Sequence, residues 1–259
     1  TSGGVTMQKA DVGDGHPSNW PFPDGSCSDK HSFAKTNTGC GWVTKQDVSP
    51  ELSYFIAPGV NLAGENLATA SLDSANLKNA NLSVANLVLA KLSSANLSGA
   101  TLTDARLTSA NLSDATLTGA NLTSATLTSA NLSGADLSGA TLSGANLNGA
   151  NLTGANLTGA RLIDNCTNDT PLVATLAYAI LTGATLTSAD LSCTNLSGLN
   201  LSNVNLSGAN LNYANLTVAI LSGANLTSAN LTRARLYQAN LSNVNLSGAD
   251  LSGATLSNA

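Results

Sequence analysis

The chain has 259 residues, of which 42% are hydrophobic, 10% are charged and only 3% are aromatic, and its formal net charge is −5. An ordinary soluble domain has roughly a quarter charged residues, so this bias indicates a repetitive sequence. The negative net charge argues against nucleic acid as a partner, because phosphate binding requires clustered Lys and Arg. The sequence contains no run of 18 apolar residues, which argues against membrane insertion.

Residues 1–55 differ in composition from the rest of the chain. They contain both Trp, both His, all three Phe and ten of the 25 charged residues. A segment of this size has a thin core of its own, so we predict a small irregular segment that packs on the remainder of the protein. Four of its aromatic residues are candidates for an interface: Trp20, Phe22, Phe33 and Trp42.

From Val60 onward the sequence has a period of five. Leu recurs at every fifth position from Leu62 to Leu162, and again from Leu176 to Leu256, which gives 21 and 17 repeats. The two runs are out of phase by one residue. The break between them, Ile163–Thr175, contains Cys166 and Pro171, and it predicts a loop or irregular coil that absorbs the register slip.

Each repeat reads Ala, then Asn, Thr or Asp, then Leu, then Ser or Thr, then Gly, Ser or Asn, as in residues 120–124. A period of five fits neither an α-helix nor a flat strand. It fits a chain that turns a corner every five residues, with Leu and the preceding Ala pointing inward. Gly, Ser and Asn after Leu suit the turn.

This pattern resembles the pentapeptide-repeat family, whose signature is A(N/D)LXX, over about three quarters of the chain. The resemblance implies an all-β fold for residues 56–259, a right-handed quadrilateral parallel β-helix with four pentapeptides per coil and about 9–10 coils. Family members often carry Phe at the central position, where this chain has Leu throughout. The resemblance also implies that some members mimic DNA and interact with topoisomerases.

The four cysteines form two sequence-local pairs, Cys27 with Cys40 and Cys166 with Cys193. The even count, without CxxC or a nearby His cluster, favours disulfides over a zinc site, with four unrelated buried thiols as the alternative. Disulfides and an uncharged, hydroxyl-rich surface favour an extracellular or periplasmic protein. Asn165 and Asn168 are possible glycosylation sites in the break.

No catalytic constellation is visible in the sequence. His16 and His31 lie in the amino-terminal segment, and Asp11, Asp14 and Asp24 have no spacing typical of a Ca²⁺ loop. An active site requires convergent titratable groups. We therefore predict a non-enzymatic protein without a cofactor or metal.

Two binding functions remain as alternatives. DNA mimicry requires acids 20 residues apart, yet Asp114 has Ser94 and Gly134 at those positions, and Asp136 has Thr116 and Asn156. Ice or carbohydrate binding would use stacked hydroxyls. The expected stacks are Ser83, Thr103, Thr123 and Ser143 on one face, and Ser98, Thr118, Ser138 and Thr158 on another.

The favoured hypothesis is a structural protein that assembles head to tail into an extracellular filament. The aromatic segment, or the first coil, would dock on the last repeats at Leu251, Leu256 and Ala259 of a second copy. The rival is that residues 1–55 cap their own first coil. Val84, Val88 and Leu89 are expected to face outward and could dock residues 1–55 or another subunit.

Overall fold

In the computed structural model of the protein, the described residues are 10–11, 41–45, 52–163 and 173–259. Three short strands come first: β1 (Ala10–Asp11), β2 (Gly41–Lys45) and β3 (Leu52–Ile56). They form an antiparallel sheet in the order β1-β3-β2. Strand β3 leads directly into the repeats, since Ile56 is buried and belongs to the same core cluster as Leu62.

Each pentapeptide makes one short bridge and one tight turn. In the repeat around Leu122, the Ala125 N–H donates to the Leu122 carbonyl oxygen at 3.0 Å, and Ser124 has a φ of 57°. A positive φ at the third turn residue is the pattern of a type II turn. The same positive φ recurs at the second position after Leu, in Gly and non-Gly residues alike.

Consecutive coils lie in a register of 20 residues. Parallel bridges run from Asn61 to Asn81 and then onward through each coil to Asp250. Most coils are hydrogen-bonded in the same way: the Leu122 N–H donates to Thr141 O at 2.7 Å, and the Asn121 N–H donates to Ala100 O at 2.9 Å. Four pentapeptides therefore complete one turn of a parallel solenoid, because the bridges recur every five residues along each coil.

The core is a ladder of Leu and Ala. From Leu77 to Leu162 every central Leu and every corner Ala of the repeats is at most 1% exposed. This confirms the prediction that both residues point inward. Leu fills the centre of the coil, whereas the small Ala side chain occupies the corner, where little volume is available in a close-packed interior.

The break between the two runs is an excursion from one corner of the solenoid. Ile163 and Val173 form an antiparallel bridge at its base, and the Ala174 N–H donates to Leu162 O at 2.8 Å. Ala174 thus occupies the position of the corner Ala that would directly follow the repeat of Leu162 if the run were uninterrupted. The coil-to-coil separation becomes 29 residues here, as in the bridge between Arg161 and Asp190, and returns to 20 afterwards. Residues 164–172 lie outside the described part.

Core burial gives a first prediction. Leu122→Asp should destabilise the protein by at least about 4 kcal/mol, because it places an unpaired charge in the ladder. The neighbouring change Thr123→Asp faces water and should cost less than about 1 kcal/mol. Denaturant unfolding of both variants measures the difference, and similar losses would contradict the assignment of inside and outside.

The turn conformation gives a second prediction. Val84 is 61% exposed and has a φ of 60°, a region that costs a β-branched residue free energy. Val84→Gly should therefore stabilise the protein by about 1 kcal/mol. The reverse change, Gly119→Val, should destabilise it by a similar amount, since a Cβ there has open space and only the backbone is strained. Thermal unfolding tests both, and stabilisation by Gly119→Val would contradict the argument.

Candidate binding surfaces

The described residues contain no cluster of His, Cys, Asp or Glu that could hold a metal ion. Of the residues singled out in the sequence, Trp20, Phe22, Phe33, Cys27, Cys40, Cys166, Asn165 and Asn168 lie outside the described part, as do both His. Trp42 lies in β2, opposite Phe55 of β3. Cys193 is disulfide-bonded. Its predicted pairing with Cys166 stays a prediction.

The polar surface is organised by the residue before each Leu. Where this residue is Asn or Asp, its side-chain oxygen commonly accepts a hydrogen bond from the backbone N–H two residues on, as in Asn121 Oδ1 with Thr123 N at 3.0 Å. Asn and Asp favour such local turns. The amide groups also reach from coil to coil: Asn131 Nδ2 donates to Asn111 Oδ1 at 3.1 Å. Asn is therefore a structural element of the coil.

The hydroxyl stacks predicted from the sequence bond largely within their own repeats. Thr123 Oγ1 donates to Asn121 Oδ1 at 2.6 Å, and Thr158 Oγ1 donates to Asn156 Oδ1 at 2.6 Å. Ser143, in the same column as Thr123, is only 3% exposed. Hydroxyls that are already bonded or buried present few free donors to ice or to a carbohydrate.

Acidic residues are scattered over the columns of the solenoid. Asp136 lies between Thr116 and Asn156, and Asp190 lies between Arg161 and Asn210. Most of the polar neighbours of Asp136 are uncharged: Thr118 Oγ1 and Asn156 Nδ2 both donate to it at 3.0 Å. The described repeats therefore lack the continuous acidic rows that DNA mimicry requires.

Exposed apolar side chains concentrate in two places. Val84 and Leu89, at 61% and 55% exposure, lie on successive turns of the second coil. The second group follows one corner of the later coils and consists of Tyr178, Ile180, Val218, Ile220 and Tyr237, which are 41–89% exposed. Nearby, Arg233 stacks on Tyr213, with its guanidinium carbon 5.4 Å from the ring centroid, and donates a hydrogen bond to the Tyr213 hydroxyl.

The backbone ladder is interrupted beside Tyr178. Among the described residues, no backbone hydrogen bond joins 177–183 to 196–203, and Ile180 and Asn200 form no bridge, whereas Thr175 and Asn195 are still bridged. One coil earlier the equivalent bonds are present, for example Gly149 N–H to Ala177 O at 2.8 Å, and one coil later Gly198 N–H donates to Thr217 O at 3.0 Å. We call this boundary, between residues 177–183 and 196–203, the open joint.

Three bulkier residues replace Ala in the coil that borders the open joint. They are Thr194, Leu199 and Val204, at the corner positions of three consecutive repeats. Val204 marks the edge of the opening, where Asn205 N–H reaches Ala184 O only at 3.4 Å. Larger side chains in a close-packed corner push the neighbouring coil away. A cavity of about 600 Å³ opens there, lined on its apolar side by Leu176, Ala179 and Leu199.

No helix among the described residues has the length and hydropathy that a bilayer crossing requires.

The repeats of this chain match a known family. The "Pentapeptide repeats" profile matches residues 59–87, 85–123, 120–159, 174–208, 200–236 and 219–258. The chain belongs to the pentapeptide repeat family. The fold of this family is a right-handed β-helix, which agrees with the 20-residue parallel register of the coils.

Solved structures of pentapeptide repeat proteins are similar to this solenoid. HetL from the cyanobacterium Nostoc sp. strain PCC 7120, involved in heterocyst differentiation regulation, is 36% identical, with a TM-score of 0.58; the match covers 75% of this chain and 84% of HetL. QnrB1, a plasmid-mediated fluoroquinolone resistance protein, is 21% identical, with a TM-score of 0.34, over 75% of this chain and 90% of QnrB1. A search of curated protein sequences returned no match.

The hydrogen bonds of Asp136 give a third prediction. Burial acts to raise the pKa of this carboxyl, but hydrogen bonds from Ser138, Thr118 and Asn156 outweigh it and lower the pKa. A lowered pKa in the folded state stabilises the protein above the unfolded pKa, and this contribution is lost as pH falls through the folded value. Asp136→Asn should therefore flatten the decline in stability below about pH 4.

Thermal unfolding between pH 7 and pH 2 measures this effect. Asp114→Asn is a suitable control, because it removes one carboxylate from another column and tests the general effect of charge. An identical change in the pH profile of both variants would contradict a specific contribution from Asp136.

Proposed function

We propose that this protein is a non-enzymatic structural solenoid that associates with further copies of itself, coil edge against coil edge, outside the cytoplasm. The observation that carries the proposal is that all but one of the coil boundaries described in full use the same contact. Leu packs on Leu, and the backbone groups of one coil pair with those of the next, as Leu122 does with Thr141. Any coil edge of this kind is chemically complementary to the opposite edge of another coil.

Residues 240–259 form the last coil of the described structure and offer such an edge. Leu241, Leu246 and Leu251 are only partly buried, and Leu256 is 45% exposed. In the preceding coil, the Leu221 N–H donates to Asn240 O at 2.9 Å. Among the described residues, the N–H groups of Leu241 and Leu246 have no such acceptor. A second copy would supply acceptors and cover the Leu side chains.

The contact between copies joins two different surfaces. One is the edge of the last coil of one molecule, and the other is either the first coil or the aromatic segment of the next molecule. A head-to-tail contact of this type does not close on itself, so repetition produces a filament. The proposed interface comprises Trp20, Phe22, Phe33, Trp42, Leu251, Leu256 and Ala259. Secretion is supported by the disulfide at Cys193, since structural disulfides are rare in the cytosol.

The alternatives have weaker support. DNA mimicry lacks its acidic rows, as the neighbours of Asp136 and Asp190 indicate. Ice or carbohydrate binding through the hydroxyl columns would require donors that Thr123 and Thr158 already use within their repeats. The fourth prediction therefore concerns self-association.

Sedimentation velocity of the oxidised full chain should show species that grow with protein concentration. Leu256→Asp should shift the distribution to the monomer, because it places a charge in the buried contact. Ser257→Asp adds the same charge at an exposed neighbouring position and is the matched control. A full chain that stays monomeric at millimolar concentration would contradict the proposal.

A further inference from the structure

The open joint differs from an ordinary surface groove because its walls are two β-edges. In a closed boundary, the N–H groups equivalent to Leu176, Tyr178, Leu181 and Gly183 donate to the next coil. The matching bonds one coil earlier, from Leu147, Gly149, Leu152 and Gly154, measure 2.8–2.9 Å. At the joint, the N–H groups of Tyr178, Leu181 and Gly183 have no backbone acceptor among the described residues. The carbonyl groups that would face them, those of Ser197, Asn200 and Ser202, have no backbone donor there.

The unpaired groups have the order and spacing of a β-ladder. Thr175 and Asn195 remain in bridge contact at one end, and the Asn205 N–H reaches Ala184 O at the other. The segments that carry the unpaired groups are each bridged to the coil on the side away from the joint. Ile180 pairs with Asn151 of the preceding coil, and Asn200 pairs with Ile220 of the following coil. Both walls are therefore held by the solenoid, and a ligand strand can take the place of water on their unpaired backbone groups.

The floor of the joint is apolar and belongs to the core. Leu199 and Ala179 are 5% and 7% exposed, whereas the equivalent Ala219 of the next coil is fully buried. The residues that line the cavity carry no formal charge. The polar ones include Asn148, Asn195, Asn200 and Tyr178, and the apolar ones include Leu176 and Leu199. A neutral ligand that brings both hydrogen-bonding groups and an apolar side chain matches this combination.

We propose that the open joint is a binding site for an extended, uncharged segment of a second polypeptide, which adds as a β-strand to the edge at 177–183 and inserts an apolar side chain over Leu176 and Leu199. Addition of a strand supplies donors and acceptors in the order that the edge presents, and the side-chain pocket supplies specificity. The cavity of about 600 Å³ lies within the range of ligand sites.

Tyr178 lies at the mouth of the joint. It is 89% exposed and has a φ of 60°, a conformation that costs a bulky residue free energy. With Ile180, Val218 and Ile220 on the same corner, it extends the apolar surface beyond the cavity. An incoming strand that leaves the joint along this corner would cover these side chains. The site is independent of the self-association proposed above, which uses the edge at 240–259.

Hydrogen exchange tests the state of the joint. In the full-length protein alone, the amides of Tyr178, Leu181 and Gly183 should exchange at least about tenfold faster than those of Gly149, Leu152 and Gly154, the same repeat positions in the preceding closed boundary. Equal protection of the two sets of amides would overturn the proposal, since it would mean that the edge is already paired.

Peptide binding tests the ligand. The probe is a fluorescein-labelled decapeptide with the sequence of residues 150–159, ANLTGANLTG, blocked at both ends. It should raise fluorescence anisotropy on binding and slow exchange in 176–183 by at least about tenfold. The same peptide with both Leu replaced by Asp should not bind. Absence of binding by the Leu peptide at millimolar concentration, or equal binding by both peptides, would overturn the proposal.

A variant that restores the repeat should close the joint. Thr194→Ala with Leu199→Ala returns two corner positions to the common residue, and it should slow exchange in 176–183 and weaken peptide binding at least about tenfold. Val60→Ala makes the same kind of change at a distant corner and should leave binding unchanged. If the double variant binds the peptide as the parent does, the joint is not the site. Unchanged hydrogen exchange at 147–154 verifies that the double variant is folded. If the double variant does not fold, the single variant Leu199→Ala is used in its place.

Discussion

The coil-to-coil backbone ladder is the interaction on which the rest of this structure depends. Each carbonyl that points along the solenoid is paired only if another coil lies directly against it, as Thr141 O lies against the Leu122 N–H at 2.7 Å. This spacing favours a small residue at the corner, which is Ala in most repeats, and it leaves a central layer that Leu fills. A coil in isolation would bury neither its Leu side chains nor its backbone, and stability therefore arises between neighbours.

The same spacing dictates the surface. A corner every five residues requires a positive φ after each repeat, which Gly adopts without cost and other residues adopt with strain. Where Asn precedes Leu, it commonly bonds the backbone of its own turn, and in several columns also the Asn of the next coil, as Asn111 and Asn131 do. Many polar side chains on the surface thus form hydrogen bonds within and between coils. Positions that depart from the repeat are therefore the better candidates for binding another molecule.

Those departures fall into a spatial pattern that the repeat alone does not explain. Val84, Leu89 and Tyr178 occupy left-handed turn positions while most of their side chains face solvent. Thr194 and Leu199 occupy corners where Ala is usual, beside the interrupted ladder. Residues that cost stability at their own positions and display an apolar group are typical of functional sites. Both features meet at the corner that carries Tyr178 and Ile180.

The sequence by itself determined the β-helix, because the period of five is a local property that repeats without error from Leu62 to Leu162 and from Leu176 to Leu256. It identified the inward Leu and Ala, and it located the register break, whose base is now the bridge between Ile163 and Val173. It also predicted that Val84 and Leu89 would face outward. Only the tertiary structure revealed the open joint. Thr194, Leu199 and Val204 are visible in the sequence as missing Ala residues, but Val60 replaces Ala too and its carbonyl still accepts from Asn81 at 2.9 Å. Whether a larger corner residue is absorbed or separates two coils depends on how the neighbouring coil can move, and that is a property of packing between residues far apart in the chain.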